Sequence, residues 1–179
     1  MKKHKHFPTM NVRPALSSDV DAIARTHVLG WQHAYGGILS PNFLASLSVE
    51  QRTRMWAEAI EKQVQRLLVV EVAGQVSGFV AFGPCRDDDA HATDFEVWAI
   101  YLHPQFIGSG AGQALWLGSL AAMKRMGATR VTLWVLAKNE LAIRFYRAAG
   151  FTEDAESRKS IQVGGVPVVE VRYSQNITG

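Results

Sequence analysis

The sequence predicts a single α/β domain built on a mixed central sheet flanked by helices. Short β-branched and aromatic runs alternate with segments whose apolar residues recur at helical spacing. Glycine-bearing turns separate them, and 179 residues suit one domain with one substantial core. Apolar residues make up 47% and charged residues 20%, a globular rather than a disordered balance.

Asn11–Ala15 reads as a first strand. Ser17-Ser18-Asp19 with Asp21 is a helix start, with hydroxyl caps and acids in the first turn, and Val20, Ile23, Ala24, His27 and Trp31 follow at helical spacing. Ser40-Pro41 opens a second helix through Leu47, and Ser48 with Gln51 resembles a capping box that starts a third, to about Lys62. Leu67–Val72 and Gln75–Gly83 are β-rich and joined by Ala73-Gly74, a tight hairpin. Asp94–Leu102 is a strand, Ala114–Met126 a helix stopped by Gly127, and Arg130–Val135 a strand. Glu140–Ala149 is a helix closed by Gly150, and Phe151–Val163 with Val166–Tyr173 form a last hairpin. No repeat or linker divides the chain, so residues 1–10 read as a flexible basic tail and 11–179 as one domain.

The net charge is +3, but Lys and Arg are dispersed without a dense block, so no nucleic-acid partner is expected. No apolar run approaches the roughly 20 residues that span a bilayer, and no membrane association is expected. The lone Cys85 leaves no internal disulfide and fits a reducing, cytoplasmic setting. His4 and His6 of the tail could hold adventitious metal, but the remaining histidines show no ligand spacing with acids or cysteine, so no metal cofactor is expected.

The most informative segment is Leu102-His103-Pro104-Gln105-Phe106-Ile107-Gly108-Ser109-Gly110-Ala111-Gly112. A strand enters a turn with three alternating glycines, and a helix follows at once. Unpaired first-turn amides and the helix dipole make such a turn a phosphate cradle. Two phosphate motifs fail on spacing. The dinucleotide pattern needs glycine where Gln113 stands, and the P-loop needs Gly-Lys-Ser/Thr where Gly112-Gln113-Ala114 stands. The remaining structural alternative is a turn that only permits tight strand–helix packing.

Gln105-x-x-Gly108-x-Gly110 resembles the acetyl-CoA-binding motif of the GNAT N-acetyltransferase superfamily. Downstream, Asn139-x-x-Ala142-x-x-Phe145-Tyr146-x-x-x-Gly150-Phe151 resembles a second segment of that family, in order and at the expected distance. Ile107 departs from the pattern, since many relatives carry Arg or Gln there. The resemblance implies a GNAT fold in which two neighbouring parallel strands, here Asp94–Leu102 and Arg130–Val135, splay apart around the pantetheine arm. It implies an N-acetyltransferase that moves acetyl from acetyl-CoA to a primary amine of a small molecule or peptide by direct attack, with a homodimer as one possible assembly. A CoA-binding sensor without turnover is the alternative.

By the same resemblance the backbone near Ile100, Tyr101 and Leu102 would pair with pantetheine, and Ile107, Gly108, Ser109, Gly110, Ala111 and Gly112 would hold the pyrophosphate. Asn139, Ala142 and Tyr146 complete the expected cofactor contacts. The Leu102 amide is the candidate oxyanion donor and Tyr146 the candidate general acid, its alternative being a packing role beside Phe145 and Ala149. Glu96 is the candidate base and amine contact, because six residues before Leu102 gives both the same face on a regular strand. Asp94 shares that parity and stands in reserve; a salt-bridged structural carboxylate is the alternative for Glu96. Trp31 and Tyr35, with His33 between them, are expected to line the acceptor pocket.

Overall fold

The computed structural model describes residues 9–177. Its strands are β1 (Met10–Pro14), β2 (Arg66–Val72), β3 (Gln75–Pro84), β4 (Asp94–Leu102), β5 (Arg130–Leu136), β6 (Thr152–Glu153), β7 (Lys159–Val163) and β8 (Val166–Asn176). They form one mixed sheet in the order β1-β2-β3-β4-β5-β8-β6, with β7 paired to β8. The helices are α1 (Val20–Ala34), α2 (Pro41–Ala45), α3 (Val49–Lys62), α4 (Ala111–Arg125) and α5 (Glu140–Ala148). Among the described residues no helix is long and apolar enough to cross a membrane.

The sheet separates two apolar layers. On one face Ile23, Ala24 and Trp56 of α1 and α3 pack on Val69, Phe79 and Ala81. On the other, Leu115, Trp116 and Met123 of α4 pack on Val80, Phe82 and Val131, and Phe145 and Tyr146 of α5 extend that layer. Phe79 and Phe82, both fully buried and three residues apart on β3, anchor opposite faces of the sheet, each contributing about 2 kcal/mol of burial.

Two irregularities of β4 position everything that follows. The parallel pairing of β4 with β5 covers only Asp94↔Arg130 through Val97↔Leu133, although both strands run on to Leu102 and Leu136. Beyond Val97 the two strands part, as the resemblance implies. On its other edge β4 pairs with β3 in a register that jumps from Phe82↔Val97 to Ala81↔Ala99, leaving Trp98 as an inserted bulge residue. The insertion reverses the alternation. Phe95 and Val97 face the α4 layer, whereas past the bulge Ala99 and Tyr101 face the α1 layer and Ile100 and Leu102 the α4 layer.

Several element boundaries differ from the sequence reading. No serine hydroxyl caps α1; a 3-10 turn at Ser17–Asp19 precedes it, and Asp19 accepts from the Leu16 amide (2.8 Å) and from Arg13 (2.7 Å). Ser40 and Ser48 do cap α2 and α3, accepting from Phe43 and Gln51 amides at 3.2 Å each. Helix α4 begins three residues early, at Ala111, with Gly112 inside it. A Cβ at Gly112 would lie 3.4 Å from the Phe145 ring, so a small residue lets α5 approach there. The segment after Gly150 is two strands, β6 and β7, both on β8. Met10, assigned to the tail by the sequence reading, opens β1, while residues 1–8 lie outside the described part.

Candidate active site

A cavity of about 450 Å³ occupies the gap between β4 and β5. It runs from the glycine turn, past the free ends of both strands, to the C-terminal end of α1. Its backbone chemistry follows from ladder geometry. The amide of His103 donates to the Ser77 carbonyl (2.8 Å), opposite which the Gly78↔Leu102 pair begins. In an antiparallel ladder alternate residues use alternate edges, so Tyr101 and Ala99 also bond toward β3. Ile100 and Leu102 therefore turn their amides and carbonyls to the other edge, where β5 has already left.

At the far end, Ile107, Gly108, Gly110 and Gly112 line the cavity. Gly108 and Gly110 have φ of +80° and +92°, the left-handed region that glycine enters without strain. No atom lies within 4 Å of a Cβ built on Gly108, so the backbone there borders open space. Ser109 does not line the cavity. Its hydroxyl donates to the Phe106 carbonyl (2.6 Å) and accepts from the Ala111 amide (3.3 Å), which holds the turn. Ala111 is fully buried beneath the turn and is likewise structural.

On the opposite wall Asn139 caps α5, its Oδ1 accepting from the Ala142 amide at 3.2 Å, and both residues line the cavity. Tyr146, one helical turn on, lines it too, and burial pushes its hydroxyl pKa up, with a further push from nearby Tyr35. At the α1 end Tyr35 and His33 line the cavity. The Tyr35 hydroxyl is hydrogen-bonded to that of Tyr101 at 3.0 Å, either being able to donate. Burial raises both of these pKa values as well.

The carboxylates are placed elsewhere. Glu96 precedes the Trp98 bulge, so the six-residue spacing to Leu102 no longer puts the two on one face. Its side chain is 4% exposed and clasped by Arg86, with Nη2–Oε1 at 2.6 Å and Nε–Oε2 at 3.0 Å, and it does not line the cavity. Asp94 is equally buried, accepting from the His91 amide (3.1 Å) beside Arg130 (3.5 Å), and is also off the cavity. Trp31 faces a second cleft of about 610 Å³, beside Trp56 and Arg52. Trp98, Ala99 and Tyr101 line both spaces, so β4 forms the partition.

The sequence reading missed the side chain of Tyr101, for which it had expected a backbone role. Its backbone serves β3 and its ring reaches Tyr35. It also missed Trp98 and Trp134, both on the cavity wall. No local pattern carries a contact between residues 66 positions apart, and a bulge leaves no signature in β-rich residues.

A parted strand pair, a cradle of glycines at a helix start and an Asn-capped helix closing the far wall are joined in one cavity. A family model, acetyltransferase (GNAT) family, matches residues 33–151 of the chain. This protein belongs to the GNAT family. It is 30% identical over 162 residues, 90% of each chain, to the uncharacterized N-acetyltransferase YuaI of Bacillus subtilis. It is 30% identical over 101 residues to an L-methionine sulfoximine/L-methionine sulfone acetyltransferase of Salmonella typhimurium, covering 56% of this chain and 58% of that protein. The fold matches PaiA N-acetyltransferase of Thermoplasma acidophilum, solved with coenzyme A, at a TM-score of 0.73 and 18% identity over 94% of this chain and 99% of that one. In a GNAT protein of this build, the cavity is the region that the family motifs frame.

Proposed function

We propose that the protein transfers an acetyl group from acetyl-CoA to a primary amine of a small molecule or peptide, by direct attack on the thioester. One observation carries the reading: the free amides of Ile100 and Leu102 line a gap that continues without interruption to the glycine turn. An extended, amide-bearing arm ending in a diphosphate is the ligand such a track fits. The turn amides of Gly108, Gly110 and Gly112 supply donors, with the helix-start dipole, for a diphosphate, and the open space over Gly108 leaves room for it. Two structures with this fold, PaiA and yncA of Salmonella typhimurium, were solved with coenzyme A and acetyl-CoA, which supports the choice of donor.

When bound, acetyl-CoA supplies an activated acyl group, and the protein's residues do the rest. The Leu102 amide is a fixed dipole aimed into the gap, where a carbonyl oxygen gaining negative charge is stabilised without reorganisation. Tyr146, protonated throughout the working range because burial disfavours its anion, has a proton to give to a departing thiolate. The cavity walls hold the two reactants together, which removes much of the entropic barrier.

The test is native mass spectrometry for bound CoA, followed by thiol release with a panel of primary amines that includes L-methionine sulfone. Retained CoA with no thiol release from any amine would mark a sensor and end the catalytic reading. In an active enzyme, Tyr146→Phe is expected to lower kcat on the order of 10²-fold while leaving acetyl-CoA affinity nearly intact. Equal losses in both would make Tyr146 a binding residue.

A further inference from the structure

Among the described residues, the lining of the cavity that holds Tyr146 carries two more hydroxyls and no carboxylate. Tyr35 comes from the end of α1 and Tyr101 from β4 beyond the bulge, and their oxygens touch at 3.0 Å. Tyr146 approaches from α5, which packs on the opposite face of the sheet. A closed sheet would hold these groups in separate layers. Here the parted strands let them face one cavity, whose lining carries all three tyrosines. Glu96, meanwhile, spends both oxygens on Arg86.

We propose that the Tyr35–Tyr101 hydroxyl pair receives the attacking amine and, with Tyr146 across the gap, carries its proton to the departing sulfur in place of a carboxylate base. The inference rests on the acetyl-transfer reading. In the step, the neutral amine forms a C–N bond to the acetyl carbon and the C–S bond breaks. One proton leaves nitrogen for the hydroxyl pair as the pair passes one of its own onward, and Tyr146 delivers one to sulfur. The count closes with no external acid or base. Raised tyrosine pKa values fit a relay of neutral hydroxyls, each gaining and losing a proton together, and disfavour a standing tyrosinate. The other ionisable groups around the pair are His33, exposed on the cavity lining, His27 stacked on Tyr101 at 5.4 Å, and Glu170 of β8 acting on Tyr35 at longer range.

The experiment compares wild type with Tyr35→Phe, Tyr101→Phe, Glu96→Gln and His33→Gln. CoA affinity is read by isothermal titration calorimetry, folding by thermal melting and turnover by thiol release with the amine panel. Both phenylalanine variants are expected to bind CoA within about threefold of wild type, yet to lose on the order of 10²-fold in kcat. Glu96→Gln and His33→Gln should each lose less than either. A Tyr35→Phe protein with wild-type kcat overturns the relay, as does a larger kcat loss in Glu96→Gln or His33→Gln with CoA affinity intact. A parallel fall in CoA affinity and melting temperature in both tyrosine variants would reduce the pair to a structural clasp. Wild type that fails to bind CoA would overturn the acetyl-transfer reading itself, a result distinct from all of these.

Discussion

Single side chains at the glycine turn decide whether the cavity accepts a ligand at all. Gly108 is the sharpest case, because its positive φ and its empty surroundings make two separable demands. Alanine there meets no neighbouring atom, so the fold bears only the left-handed backbone cost of about 1–2 kcal/mol. The new methyl group, however, stands on the cavity wall. Gly108→Ala should therefore melt only a few degrees lower while binding CoA at least about tenfold more weakly, as calorimetry can check; an unchanged affinity would move the phosphate site off this turn. At this scale the sequence was most legible. Glycines, a proline and an Asn at fixed spacing are demanded by backbone geometry, which acts locally, and Gly108, Gly110, Asn139 and Tyr146 all line the cavity. The reading failed for Glu96 because it rested on strand parity, and one inserted residue 2 positions later reverses parity for everything beyond.

Elements were legible where their signals are local and were misjudged where a distant partner decides. Strand β4 was read to the residue, Asp94–Leu102, from a β-rich run bounded by loop residues. The break between β6 and β7 was not, since both pair with β8 and only the third strand shows where each begins. The loop between β3 and β4 shows the same dependence. Its Asp87-Asp88-Asp89 run is held from a distant strand, Arg172 of β8 binding Asp89 through both oxygens (2.6 and 2.8 Å) and Asp87 at 3.1 Å. The same guanidinium bonds Asp154 at 2.7 Å, and Trp134 donates its indole N–H to Asp87 at 3.0 Å. Removing this mostly buried cation strips Asp89 of its ion pair, while Asp87 keeps Trp134 and Asp154 keeps Arg130. Arg172→Leu should cost about 2 kcal/mol in urea unfolding and speed amide hydrogen exchange across residues 85–93, while exchange in α4 stays as it was. A loop that keeps its protection would show the ion cluster to be dispensable.

For the molecule as a whole, stability is tied to proton uptake at one buried ring. His27, on α1, packs between α3 and the sheet, its Nδ1 accepting from Trp56 Nε1 at 3.0 Å and its ring stacked on Tyr101. Burial, with the nearby charge of Arg52, lowers its pKa from 6.5 to about 3. The unfolded chain therefore takes up this proton first. His27 costs nothing above about pH 6.5, and below it stability falls toward pH 3 with a slope approaching 1.4 kcal/mol per pH unit from this group. Urea midpoints measured from pH 7.5 to 4.5 should show that decline, and His27→Gln should flatten it. Global architecture was legible because element order constrains a mixed sheet tightly; the spatial meeting of α1 with β4 was not, being a product of packing. The parted strands carry a mechanical consequence. With only four residue pairs joining β4 to β5, the chain is two half-sheets sharing a short seam, and whatever lies along the seam acts as a surrogate strand. Cofactor should thus rivet the halves together, so that thermal tolerance climbs with its concentration and the protein resists heat best when loaded for work.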